Sequence, residues 1–117
     1  MKLAIVGSRA FNNYRLMADK LSYWEEINYC LITEVVSGGA RGADSMGEMF
    51  ARASNIPCKI FPAEWDKFGK SAGYKRNIDI VNYCDEVIAF WDGKSKGTKH
   101  TIDIATKAGK KVTVINV

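Results

Sequence analysis

The sequence predicts an α/β fold: a single three-layer Rossmann-like domain with a mostly parallel five-stranded sheet and helices on both faces. Three observations predict it. Short apolar runs alternate with longer amphipathic stretches along the whole chain, the pattern of buried parallel strands covered by helices. Glycine-rich turns follow several of those runs directly, as they do where a strand hands over to a helix. The chain has 117 residues, the length of one domain, so residues 1–117 are read as one unit.

Taken in order, Leu3 to Val6 is the first strand. Asn12 or Asn13 caps a helix in which Tyr14, Met17, Leu21 and Trp24 recur at three- and four-residue spacing and share a face; it ends near Asn28. Glu34 to Ser37 is the second strand, and Gly38 begins a turn into a helix with Met46, Met49, Phe50 and Ala53 inward, stopped by Asn55 and Pro57. Cys58 to Phe61 forms the third strand. Pro62 to Gly69 is too long and aromatic for a simple turn, which marks it as functional. A third helix from about Ser71 to Tyr83 buries Ile78 and Val81, Glu86 to Phe90 supplies the fourth strand, and a loop from Trp91 to Gly97 enters a fourth helix with Ile102, Ala105 and Ala108 on one face. Val112 to Ile115 closes the sheet.

Hydrophobic residues at 47% and charged residues at 26% exclude disorder and collagen-like repeats. Seventeen Lys and Arg against thirteen Asp and Glu leave a net charge of +4, which favours an anionic partner. Cys30, Cys58 and Cys84 lie far apart with no C-x-x-C pair, and His100 is the one histidine, so neither a zinc site nor a disulfide framework is expected. The apolar run at Leu3 is too short for a signal peptide or a membrane span. The expected setting is reducing and cytoplasmic, with no membrane partner.

Open parallel sheets hold ligands outside the carboxyl ends of their strands. There the sequence places Gly7-Ser8-Arg9 after strand one, Ser37-Gly38-Gly39-Ala40-Arg41-Gly42-Ala43-Asp44 after strand two, and Gly93-Lys94-Ser95-Lys96-Gly97-Thr98 after strand four. Glycine lets backbone approach a ligand closely, and a helix start offers free N–H groups to an anion. A phosphate suits these loops, with Ser8, Ser37, Ser95 and Thr98 as hydroxyl donors and Arg9, Arg41, Lys94, Lys96 and Lys99 as charge. Neither a P-loop nor a G-x-G-x-x-G fingerprint is present, which argues against a standard hydride-transferring dehydrogenase. Trp65 is read as a base or subunit contact; Trp91 is read as packing. Arg76, with Asn77 at the opening of the third helix, is read as a phosphate ligand or as the partner of Glu64 or Asp66. Asp44 is read as a helix cap that also accepts from a ribose hydroxyl, and His100 as a capping or surface residue with general-base chemistry as the alternative.

The ordered blocks G-S-R-x-F (Gly7 to Phe11), S-G-G-A-R-G-A-D (Ser37 to Asp44), F-P-A-E-W (Phe61 to Trp65), G-K-x-A-G-x-x-R-N (Gly69 to Asn77) and A-F-W-D-G-x-S-K-G-T-x-H (Ala89 to His100) resemble the YspA-type branch of the SLOG superfamily over nearly the whole chain. That superfamily includes LONELY GUY phosphoribohydrolases, single-strand-binding DNA-processing A proteins and sensors of nucleotide signals derived from NAD. The resemblance implies a Rossmann-like fold that binds a nucleotide or nucleotide-derived ligand across the glycine loops, with no further cofactor required. Relatives are commonly dimers, so a homo-oligomer is expected.

The LONELY GUY enzymes carry an arginine before the fourth strand and P-G-G-x-G-T-x-x-E after it. Arg76 matches the first and Gly97-Thr98 the Gly-Thr, but the glutamate position is Thr101. A threonine cannot act as the carboxylate that assists departure of a base. The resemblance therefore implies binding of an ADP-ribose- or AMP-like ligand ahead of N-glycosidic cleavage of a nucleoside monophosphate. For cleavage, the candidate catalytic residues are Arg76, Asp44 and His100. Single-stranded nucleic acid along Arg9, Arg41, Lys94, Lys96 and Lys99 is the third expectation.

Overall fold

A computed structural model of the chain describes residues 1–28 and 31–117, so Cys30 lies outside the described residues. Five strands, β1 (Lys2–Gly7), β2 (Glu34–Ser37), β3 (Cys58–Ile60), β4 (Glu86–Trp91) and β5 (Val112–Asn116), form one sheet. All run parallel in the order β3-β2-β1-β4-β5. The central strand β1 sets the register, with Ala4 opposite Val36 on one side and Val87 on the other. The longer helices are α1 (Tyr14–Asn28), α2 (Ala43–Ala53), α4 (Ala72–Tyr83) and α5 (Lys96–Lys107), with a short α3 (Trp65–Phe68) running into a 3-10 turn at Gly69–Ser71.

Strand side chains alternate between faces, and the two faces bury different helices. Leu3, Ile5, Val35, Ile88 and Phe90 pack with Met17, Leu21 and Trp24 of α1 and Met46 and Phe50 of α2. Ala4, Val6, Val36, Val87 and Ala89 pack with Ile80 and Val81 of α4 and Ala105 of α5. This is the three-layer α/β architecture the hydrophobic pattern predicts, and Asn13 supplies the α1 cap by accepting from the Leu16 N–H at 3.0 Å.

The helix faces differ from expectation in a regular way. In α2 the buried stripe is Ala43, Met46, Gly47, Phe50 and Ala51, so Met49 and Ala53, expected inward, are exposed. A residue is about 100° around the helix from its neighbour, and a stripe fixed on 46, 47, 50 and 51 turns 49 and 53 away. In α4 the stripe runs through Asn77, Ile80 and Val81, leaving Ile78 exposed. Ala108 lies past the end of α5 and is exposed. The third strand stops at Ile60, one residue early, and as an edge strand all three of its residues are exposed. The aromatic connection after it is a short helix rather than open loop.

Candidate functional site

Strand order reverses between β1 and β4, because the chain winds outward from β1 to β3 and then returns to the other side of β1. Ligands of open α/β sheets sit above such a switch point. The turns after β1, β2 and β4 all end there, and each is fixed by a different local device.

After β1, Ser8 is a clasp. Its N–H donates to the Phe90 carbonyl at 3.0 Å, its carbonyl accepts from the N–H groups of Phe11 and Ala43 at 3.2 Å, and its hydroxyl accepts from the Asp92 N–H at 3.1 Å. Its backbone joins β1 to β4 and α2, and its hydroxyl is buried and occupied by Asp92. Ser37, after β2, is likewise buried; its hydroxyl donates to Glu48 Oε2 at 2.7 Å and accepts from the Gly39 N–H at 3.2 Å. Both hydroxyls, expected to face a ligand, shape the turns from inside. Gly42 has φ +79°, and a Cβ there would overlap the Ser8 and Arg9 carbonyl oxygens, so glycine alone fits.

Asp44 stands in the first turn of α2, only 6% exposed, but it does not cap that helix: the cap position is Gly42, and Asp44 Oδ2 reaches back to accept from the Ala40 N–H at 3.3 Å. Burial pushes its carboxyl up to about 6, against the pull of the Arg76 guanidinium and the Ala40 N–H. Arg76 lies one turn inside α4 rather than at its start. Its Nε donates to Asn77 Oδ1 at 3.0 Å and its Nη1 to the Gly38 carbonyl; burial lowers its pKa while Asp44 opposes the shift. The ion pair with Glu64 or Asp66 weighed above is not formed. Among the described residues the one ion pair is Lys99–Asp103 at 2.9 Å, on the exposed side of α5. Arg9, Arg41 and Arg76 therefore face the rim with no carboxylate in salt-bridge contact.

After β4, Asp92 turns the chain by accepting the N–H groups of Lys94 and Ser95 at 2.8 and 2.9 Å. Those bonds, Ser95 first, and the Ser8 hydroxyl hold its carboxylate below the usual range. Ser95 then caps α5, its hydroxyl accepting from the Thr98 N–H and lying 2.9 Å from Thr98 Oγ1. Trp91 is half-buried and donates from Nε1 to the Ser95 carbonyl at 3.0 Å, a packing role. Thr101 is buried, with its hydroxyl bonded to the Gly97 carbonyl.

These turns enclose two adjoining cavities. The inner one, about 60 Å³, lies between β1 and the start of α5, against Gly7, Asp44, Asn77, Ser95, Gly97 and Thr98. The outer one, about 310 Å³, is bounded by Gly38, Gly39 and Arg41, by Pro62 and Ala63, and by Trp65, which is 50% exposed. Arg9, Ala40 and Arg76 line both. Gly93, Lys94 and Lys96 lie outside both walls: Gly93 occupies an open turn with φ +80°, and the two lysines are exposed. His100 stands one layer back. Its Nδ1 is 3.2 Å from Asn77 Nδ2, its ring packs edge-on to Tyr74 at 4.6 Å, and burial lowers its pKa. Pro62, Ala63 and Ala40 were not singled out in the sequence, since their contribution is shape and backbone; the F-P-A-E-W block was the available signal. Among the described residues no His, Cys, Asp or Glu cluster could hold a metal, and no helix is long and apolar enough to cross a membrane.

Comparison with known proteins agrees with this fold. The family model described as "YspA, cpYpsA-related SLOG family" matches residues 1–68. The chain is 36% identical to the Gene 61 protein of Mycobacterium phage D29 over 124 aligned positions, covering 98% of this chain and 94% of that protein. The crystal structure of DNA processing protein A (DprA) from Streptococcus pneumoniae superposes with a TM-score of 0.77 at 22% identity, over 99% of this chain and 50% of DprA. The chain thus spans half of DprA, and the likeness is one of fold. With a family model matched along more than half of its length, the chain belongs to the YspA, cpYpsA-related SLOG family.

Proposed function

We propose that the chain binds a small phosphorylated nucleoside of AMP or ADP-ribose type at the β1–β4 switch point. The observation that carries this reading is the convergence of Arg9, Arg41 and Arg76, none of them ion-paired, on a cavity of about 310 Å³ walled by glycine backbone and a half-exposed tryptophan. Arginine suits phosphate because its planar fork donates two parallel hydrogen bonds. Trp65 offers a face to a base, and Asp44, beside Arg76, accepts from a ribose hydroxyl. Thermal shift with AMP and ADP-ribose tests the reading, since a ligand selective for the native state raises the melting temperature. A rise with either, accompanied by quenching of tryptophan fluorescence that Trp65→Phe removes, supports it; no rise with either sinks it.

A second reading, N-glycosidic cleavage of a nucleoside monophosphate, is favoured by one observation: Asp44 holds its carboxyl near 6 beside the phosphate-sized inner cavity, a value suited to proton transfer near neutrality. Against it stands Thr101, buried and hydrogen-bonded where a carboxylate would be needed. Incubation with AMP and chromatography for free adenine separates the two. Adenine released by the wild type and not by Asp44→Asn supports cleavage, and intact AMP supports binding alone.

A further inference from the structure

Among the described residues the Arg9 guanidinium has no hydrogen bond or ion pair, yet Arg9 lines three cavities: the outer, the inner, and a third of about 360 Å³ on the α1–α2 side of the rim. This third cavity is bounded by Phe11 and Tyr14 at the entry to α1 and by Met46 and Met49 of α2. It is largely apolar, with the side chains of Asn12 and Ser45 at its margin as hydrogen-bonding groups. Met49 is 45% exposed here, and a thioether beside a tyrosine ring gives an adaptable apolar wall of the sort that accepts a flat heterocycle. The outer and third cavities share Arg9 and no other residue of their walls. A central cationic point is thus flanked on both sides by a nucleoside-sized, partly aromatic cavity.

A ligand with one nucleoside fills the Trp65 side and leaves the other side empty. We propose, building on the phosphorylated-nucleoside reading above, that the ligand is two-ended: a dinucleotide whose bridging phosphates lie on Arg9, Arg41 and Arg76, with one base against Trp65 and the second between Tyr14 and Met49. Charge agrees with this class. The walls of the three cavities carry the guanidinium groups of Arg9, Arg41 and Arg76 and the one carboxylate of Asp44, a surplus of two positive charges that matches the two negative charges of an internal diphosphate bearing no terminal phosphate. The turn from Gly38 to Gly42 runs along both cavities, with Gly38 and Gly39 in the wall of the outer one and Gly42 in the wall of the third.

The test is calorimetry on the whole chain with AMP, ADP and diadenosine 5′,5′-diphosphate. The dinucleotide is expected to bind at least ~10-fold more tightly than AMP or ADP. Met49→Glu, on an exposed position, removes that advantage and leaves AMP affinity unchanged, whereas Met49→Leu preserves both. Equal affinities for the three compounds, or an advantage insensitive to Met49→Glu, overturn the two-ended ligand and leave the single-nucleoside reading intact. Absence of binding by all three overturns both.

Discussion

The Arg76 guanidinium donates to the carbonyl oxygen of Gly38, tying the second turn of α4 to the turn after β2. The two residues define each other. A Cβ on Gly38 would overlap both the Arg76 guanidinium and the Asp44 carboxylate, so the arginine can occupy this place only because the facing residue has no side chain. Glycine and arginine that look like separate motifs in the sequence are one device for holding a cation at the rim.

Arg76→Gln removes that cation while keeping a hydrogen-bonding side chain. A hydrogen bond to a charged group is worth about 1.5–3 kcal/mol, so AMP affinity is expected to fall roughly 10- to 100-fold. Isothermal titration checks this, and affinity within twofold of wild type would remove Arg76 from the site.

Glycines 42 and 97 should respond in opposite ways. Gly42→Ala forces a Cβ against two carbonyl oxygens at φ +79° and is expected to destabilise the fold by about 1–3 kcal/mol. Gly97, in the first turn of α5, has open space beside it, and Ala there should leave stability unchanged or raise it by up to ~1 kcal/mol. Urea unfolding of the two variants measures the contrast, and equal losses would refute it.

Asp44 makes stability depend on pH in the direction opposite to a salt-bridged carboxylate. Its folded-state value of about 6 lies above 3.8, so between those limits the folded chain binds more protons than the unfolded one, and stability falls as pH rises. The cost is absent below 3.8 and complete above about 6, on the order of 3 kcal/mol. Asp44→Asn keeps an acceptor for the Ala40 N–H and loses the charge. Its melting temperature should exceed that of wild type at pH 7.5 and converge on it near pH 4; a constant difference would contradict the sign.

Asp92→Ala releases the Lys94 and Ser95 N–H groups together. Hydrogen exchange at those two amides should accelerate while exchange in the core of β4 stays slow. Because the carboxylate is held below its usual range, the same acceleration should appear in the wild type only at strongly acidic pH.

The sheet and its helices were legible because buried strands and amphipathic helices carry their period in the sequence, and every expected strand and helix is found. The errors at Met49, Ala53 and Ile78 share a cause: hydrophobicity says that a side chain prefers burial, not that the sheet has room for it. Met49 and Ile78 are large apolar residues one step off their helix's buried stripe. Strand order was not legible, since nothing local distinguishes a strand that joins one edge of β1 from one that joins the other. At the rim, Arg9, Arg41, Trp65 and Arg76 stand around a common cavity as their types suggested. Ser8 and Ser37 do not face it, because a serine that serves a ligand and one that serves a turn look alike until the turn's own N–H groups are counted.

Because β1 pairs with both β2 and β4, Leu3 meets Val35 on one edge but must wait for Glu86 on the other. A chain emerging from the ribosome therefore presents Leu3, Ala4, Ile5 and Val6 as an apolar strand with one edge unpaired until β4 has been made. That open edge is a template for joining a second nascent chain, and closing it across so long a loop is slow. Synthesis and folding are in competition over this one strand, and agents that hold extended apolar segments would raise the yield of the protein more than they would raise its stability.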